Sequence, residues 1–262
     1  MHIIDAHAHP FISDIDNTGY RYGGPKTPED FIDGLKRAGI SKACGTVISA
    51  TDGKDFNDMK RLNDDALRLS EMYPDFFIPG IHVHPYHVEA SCKEIESKHA
   101  LGVRWVGELV PYMTGHDLYA LRDAFPIYDL LQEKGMPINI HPTTDADLDD
   151  LMRNFPRLPI IVAHPNEKPE FERHLDRMRS HENAYLDISG TGLFRNNLLR
   201  YGIDRVGKER FLFGTDYPIC NPAMQVHGVL YEMLTDAEYE AVFSKNFLAL
   251  IGNSYAADGK VL

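Results

Sequence analysis

Ile3-Ile4-Asp5-Ala6-His7-Ala8-His9-Pro10 opens on a short apolar, β-branched run and closes on two histidines and a proline. A buried strand is expected over residues 2–6, followed by the turn His7-Ala8-His9-Pro10. That turn decides between two architectures. An open, doubly wound sheet would normally carry a glycine-rich phosphate turn after its first strand, and a pair of imidazoles stands there instead. Runs of the same texture recur at 42–48, 76–83, 103–109, 137–140, 158–163, 184–188 and 210–214, spaced by roughly 30 residues, the size of one βα unit. Helical periodicity fills the intervals at 28–38, 57–73, 87–99, 119–134, 144–154, 169–181, 193–207 and 223–234, and 236–251 reads as one further helix packed on the outside. Thr27-Pro28-Glu29-Asp30 offers an N-cap, a first-turn proline and early acids. Ala38-Gly39 and Lys134-Gly135 place glycine just past a helix end. Eight such units match an α/β protein of the (β/α)8 TIM-barrel class, with residues 1–262 as a single domain.

Composition narrows the function. Lys plus Arg number 27 against 39 Asp plus Glu, a net charge of −12, which speaks against broad binding to a nucleic-acid backbone. No apolar run approaches the roughly 20 residues of a membrane-spanning helix. Met1-His2-Ile3-Ile4-Asp5 shows neither the basic region nor the apolar stretch of a signal peptide. Cys44, Cys92 and Cys220 form no CxxC pair, so a reducing, cytoplasmic setting is expected, with a small molecule as the partner and a homo-oligomeric state left open.

In barrels of this kind, chemistry gathers at the C-terminal ends of the strands. Read in order, those ends deliver His7 and His9, Ser49, His82 and His84, Glu108, His141, His164, Asp187 and Asp216. Proline follows His9, His84, His141 and His164 directly, which keeps each histidine extended at its strand end. His7 and His9, two residues apart, face the same side of a strand. Together with Glu108, His141, His164 and Asp216 they form a nitrogen and oxygen donor set for a divalent metal. Zinc is the expected ion, manganese, iron and nickel suit the same donors, and one or two ions are accommodated. Glu108 reads as a ligand, as an acceptor for a ligand histidine, or as a partner of Arg104. His82 and His84 face the same side by alternation, so that one of them is expected to reach the substrate rather than the metal, and Asp187 is expected to orient a neighbour. His99, His174, His181 and His227 lie in helical texture and are expected in solvent, and Cys220 is expected to pack.

The motifs IDAHAHP, VGELVP, INIHP, IVAHP and FLFGTDYP, in this order, resemble the amidohydrolase superfamily, and more closely its amidohydrolase-related (amidohydrolase 2) family. The likeness extends over nearly the whole chain, including the closing stretch from Tyr239 to Gly252. A second similarity, to TatD-type deoxyribonucleases, rests on Pro79 to Pro85 and on Gly107-Glu108. The resemblance implies a barrel whose metal is held by His7, His9, His141 and Asp216, with His164 facing the substrate. In the two-metal alternative Glu108 and His164 join as ligands. Strand four carries Glu108 and no lysine, unlike two-metal amidohydrolases that use a carboxylated lysine.

The expected chemistry is hydrolysis of a small amide, ester or lactone. Asp216 takes the proton of the attacking water, and His164 orients the substrate or stabilises the oxyanion. Non-oxidative decarboxylation or hydration of a small carboxylic acid is the alternative on the same site, ahead of a TatD-like nuclease and a non-catalytic metal-binding protein. An anionic substrate needs a cation at the mouth, and Arg195, after strand seven, is the candidate.

Overall fold

The computed structural model describes residues 1–19 and 22–252. Eight parallel strands follow one another in sequence order around one sheet. They are β1 (Ile4–Ala8), β2 (Lys42–Gly45), β3 (Phe77–Ile81), β4 (Trp105–Leu109), β5 (Ile138–Ile140), β6 (Ile160–Val162), β7 (Ala184–Asp187) and β8 (Phe211–Leu212). The helices are α1 (Pro28–Arg37), α2 (Phe56–Met72), α3 (Val88–Ala100), the single turn α4 (Pro111–Thr114), α5 (Phe125–Lys134), α6 (Asp145–Asn154), α7 (Lys168–Ser180), α8 (Leu198–Val206), α9 (Pro222–Tyr231), α10 (Asp236–Glu240) and α11 (Asn246–Ile251). This is the expected (β/α)8 TIM barrel. No helix among the described residues is long and apolar enough to cross a membrane.

The expected caps are present. Thr27 accepts the amide of Asp30 at the start of α1, and Gly135 ends α5 in the left-handed conformation. The expected helix at 119–134 begins only at Phe125, because Tyr119 is tied down as a loop residue, its amide donating to Asp147 and its hydroxyl to the Leu109 and His141 carbonyls. The expected helix at 193–207 is confined to α8. The last helix departs most from expectation. A π-helical turn, Ala241–Lys245, links α10 to α11, and Phe247 and Ile251 reach a cluster with Ile4, Cys44, Ile78, Trp105, Ile161 and Leu212. Instead of only coating the barrel, this segment packs on its inner layer.

β8 has two residues, too few to close a barrel by ladder pairing. Closure comes from the segment behind it. Ala6 donates to the Phe213 carbonyl at 2.9 Å, Asp216 to His7 at 2.8 Å, and His9 to Tyr217 at 2.8 Å. Beneath this seam the buried Asp5 carboxylate accepts the amides of His7 and Thr215 and the Thr215 hydroxyl.

Candidate metal centre

Two irregularities in the sheet aim the site. The β1–β2 register shifts between Asp5 and Ala8, where the Asp5 side chain captures the His7 amide. The β4–β5 register shifts between Val106 and Leu109. At Gly107 (φ 92°), a Cβ would run into the Asn139 carbonyl, so the residue before Glu108 has to be glycine. Bulges of this kind re-aim side chains, and here they turn His7, His9 and Glu108 toward one point.

Their protons are accounted for from the outside in. His7 Nδ1 donates to Asp187 Oδ2 at 3.0 Å, so its Nε2 carries a lone pair. His9 Nδ1 donates to the Thr46 carbonyl and His164 Nδ1 to the Ser189 carbonyl, both at 3.3 Å, which leaves their Nε2 atoms as acceptors too. Those acceptors converge. His7 Nε2 and His9 Nε2 are 3.1 Å apart, and Glu108 Oε2 lies 3.3 Å from each. Asp216 Oδ1 is 3.5 Å from His9 Nε2, and His164 Nε2 is 3.4 Å from Glu108 Oε1. Two donor groups suited to a metal ion result, His7 with Glu108 and His164, and His7 with His9 and Asp216. With the imidazoles neutral, only acceptors meet at this buried point among the described residues, so the residues fit a cation. His141 stands beside these groups rather than in them, its Nδ1 donating to Glu108 Oε1 at 3.0 Å.

The electrostatics show that this point favours positive charge, whether as protons on the imidazoles or as a bound cation. Burial opposes charge on His7, yet the Asp187 and Glu108 carboxylates hold it well above the ordinary histidine range. Burial likewise opposes charge on His9 and His164, and hydrogen bonds to Asp216 and Glu108 for the first, and to Glu108 for the second, raise both. Burial pushes Glu108 up, and His7, His141 and His164 more than offset it, leaving the carboxyl well below the usual range. Asp187, buried against His7, sits at about 2.

Asp187 therefore orients a neighbour, as expected, and it is itself held by Asn139 and Ser189. Sequence reasoning passed over Asp5, Thr46, Asn139 and Ser189. Spacing carried a signal for three of them: Asp5 precedes His7 by two residues, Asn139 precedes His141 by two, and Ser189 follows Asp187 by two. His164 (φ 67°) and Asp216 (φ 61°) both adopt the left-handed backbone that non-glycine residues avoid, a strain that gathers at functional sites. Gly190 makes room for His164, since a Cβ there would strike the imidazole.

A cavity of about 1070 Å³ opens over the cluster, touching His9, Glu108, His141, His164 and Asp216. Tyr112 on α4, 72% exposed, stands edge-on to His141 at 5.2 Å, and Ile15, Tyr22 and Ile219 complete an apolar rim. Cys220 is more than a packing residue. It lines the cavity, and its thiol donates to Asp216 Oδ2 at 3.8 Å.

Other expectations do not hold. Arg195 is absent from the cavity lining; its guanidinium is exposed and paired in two hydrogen bonds with Glu167 on the neighbouring loop. Among the described residues, the arginine on the cavity lining is Arg37. Arg104 bonds the carbonyls of His99 and Val103, which removes it as a partner of Glu108. His82 and His84 are buried away from the cavity on the Val47 and Thr114 carbonyls, and burial lowers His82 to about 4. His174 is buried beside Arg177, not solvated.

A family model described as Amidohydrolase matches residues 4–252. No curated protein matches the chain. Among similar solved structures is a dihydroxybenzoic acid decarboxylase from Polaromonas sp. JS666 with bound manganese and the inhibitor 2-nitroresorcinol, 17% identical over 100% of this chain and 99% of that one, TM-score 0.73. Another is 5-carboxyvanillate decarboxylase from Sphingomonas paucimobilis, 15% identical over 95% and 98%, TM-score 0.72. A third, from Pseudomonas putida, carries the provisional name 2-pyrone-4,6-dicarboxylic acid hydrolase and is 19% identical over 98% and 99%, TM-score 0.71. At these identities the likeness is one of fold.

Proposed function

The chain belongs to the amidohydrolase family, and from that premise we propose that it is a metal-dependent enzyme that hydrolyses a small amide, ester or lactone. The observation that carries the reading is the convergence of histidine lone pairs and two carboxylates on one buried point beneath an open cavity. His7, His9 and Asp216, with Glu108, would hold a divalent transition-metal ion, His164 would join them as a ligand only in a two-ion arrangement, and His141 would steady Glu108 and join the shell if that hydrogen bond is released. When bound, such an ion supplies Lewis-acid polarisation of a substrate oxygen and acidifies water. The donor set suits zinc, our expectation, and manganese, the ion in the Polaromonas structure.

The chain's own groups do the proton work. Asp216 borders the cavity with Oδ1 toward the histidines and Oδ2 engaged by Cys220. It accepts the proton of the attacking water and returns it to the leaving group. With one ion bound, His164, also on the cavity wall, is free to carry a proton on Nε2, a form that Glu108 favours, and to hold the substrate oxygen as negative charge develops. The three unpaired cysteines support a reducing, cytoplasmic setting.

A second reading, non-oxidative decarboxylation or hydration of a small carboxylic acid, is supported by the two decarboxylases of the same fold. Acid release from lactones, esters and amides, measured beside carbon dioxide release from aromatic acids on the zinc- or manganese-loaded protein, separates the two. Asp216→Asn is expected to keep most of the metal and lose at least about a hundredfold in turnover, because an amide still coordinates but cannot accept a proton. Turnover at the native rate in that variant would remove Asp216 from the chemistry.

A further inference from the structure

We propose that the cavity has a second, anion-binding lobe, so that the ligand is elongated and carries a carboxylate at the end remote from the metal cluster. Four observations converge on it. The cavity, at about 1070 Å³, exceeds the roughly 300–1,000 Å³ typical of small-molecule sites. Its lining does not stop at the barrel mouth; it continues past Tyr217 and Pro218 to Gly34, Arg37 and Ala38 on the flank of α1. α1 begins at the rim and runs away from it, and a helix of ten residues spans about 15 Å. Arg37, its last residue, therefore marks the far end of the space.

Charge identifies what that end takes. Among the described residues the Arg37 guanidinium makes no hydrogen bond or ion pair, although the protein carries a net charge of −12. Of the acids near this end, Asp16 accepts two hydrogen bonds from Arg61 and Asp30 accepts the Lys26 amide, while Asp30 and Asp33 share a shallow surface pocket with Arg37 and Lys36 without forming an ion pair among the described residues. The Tyr217 hydroxyl, on the same lining as Arg37 and subject to the opposing charges of Arg37 and Asp30, has no hydrogen-bond partner among the described residues either. Gly34 is what lets the Tyr217 ring lie against the helix, since a Cβ there would overlap the phenol oxygen. A guanidinium and a phenol hydroxyl that line one space without partners among the described residues, at the end of a mostly apolar passage, fit a carboxylate on an apolar arm.

The inference rests on the metal reading for the near end of the ligand, and the test keeps the two apart. Manganese-loaded and metal-free protein are titrated calorimetrically with dicarboxylates from glutarate to dodecanedioate, each beside the monocarboxylate of equal length. The longer dicarboxylates should bind about tenfold or more tighter than their monocarboxylates, as a charge-assisted bidentate pair allows. Arg37→Gln should erase that gain and leave monocarboxylate binding unchanged. Glutarate, too short to span the passage, should show no dependence on Arg37. Equal affinity of long dicarboxylates and monocarboxylates in the native protein, a gain that survives Arg37→Gln, or no binding of either series overturns the lobe. Monocarboxylate binding that is indifferent to manganese overturns the metal anchor instead, while the Arg37-dependent gain would still stand.

Discussion

His7 has two neighbours with opposite tasks. Asp187 takes its Nδ1 proton, and the cluster takes its Nε2 lone pair. Outer partners of this kind typically change metal affinity by about 10–100-fold, so Asp187→Ala should weaken zinc or manganese binding by that factor, read by competition with a chelating dye. His7→Ala combined with His9→Ala should abolish uptake while leaving the far-ultraviolet circular dichroism unchanged. Acid should act in the same direction as Asp187→Ala. His7 and His9 are held above the ordinary histidine range, so protons compete for the same lone pairs. Affinity is therefore complete above those raised values and is lost as pH falls through them, and binding that strengthens on acidification would contradict the assignment. Metal per chain addresses Glu108, which lies equally far from His7 and His9. We expect a ratio near one in the native protein. A ratio near two that falls to one or less in Glu108→Ala would favour the two-metal arrangement.

Among the elements, the apolar runs and the histidines at their ends were legible because β-branched burial marks the strands, but the extended backbone expected of every histidine before proline fails at His164, whose left-handed backbone (φ 67°) the local sequence did not announce. The two bulges were not legible. One depends on the Asp5 side chain capturing the His7 amide, and the other on Gly107 passing under the Asn139 carbonyl, and both are contacts between strands. Arg195 was misplaced for a related reason. A position after β7 says nothing of which way the loop turns, and Glu167 on the preceding loop claims the guanidinium. α1 offers a test of packing against propensity. Alanine is favoured over glycine by about 1 kcal/mol in a helix interior, yet Gly34→Ala would drive a methyl group into the Tyr217 hydroxyl. We expect overpacking to win, with a net loss of about 1–2 kcal/mol in urea denaturation. Tyr217→Phe in the same chain should recover part of it, whereas stabilisation by Gly34→Ala alone would show that the tyrosine moves freely.

For the molecule as a whole, the barrel is closed by hydrogen bonds between β1 and the residues that follow a two-residue strand, and Asp216 is one of those residues. Asp5 anchors the seam from below. Removing its carboxylate strands the amides of His7 and Thr215, so Asp5→Ala should cost about 2–4 kcal/mol in chemical denaturation. A loss under 0.5 kcal/mol would mean that water replaces it. The seam has a consequence for exchange with solvent. The amides of Ala6, His9 and Asp216 all donate across it, so deuterium uptake at these three positions reports one event, the parting of the first strand from the last. Because His7, His9 and Asp216 stand on both sides of that line, a ligand bridging them acts as a clasp. Its arrival should slow uptake at all three amides together, linking the parting of this seam to occupancy of the barrel's centre.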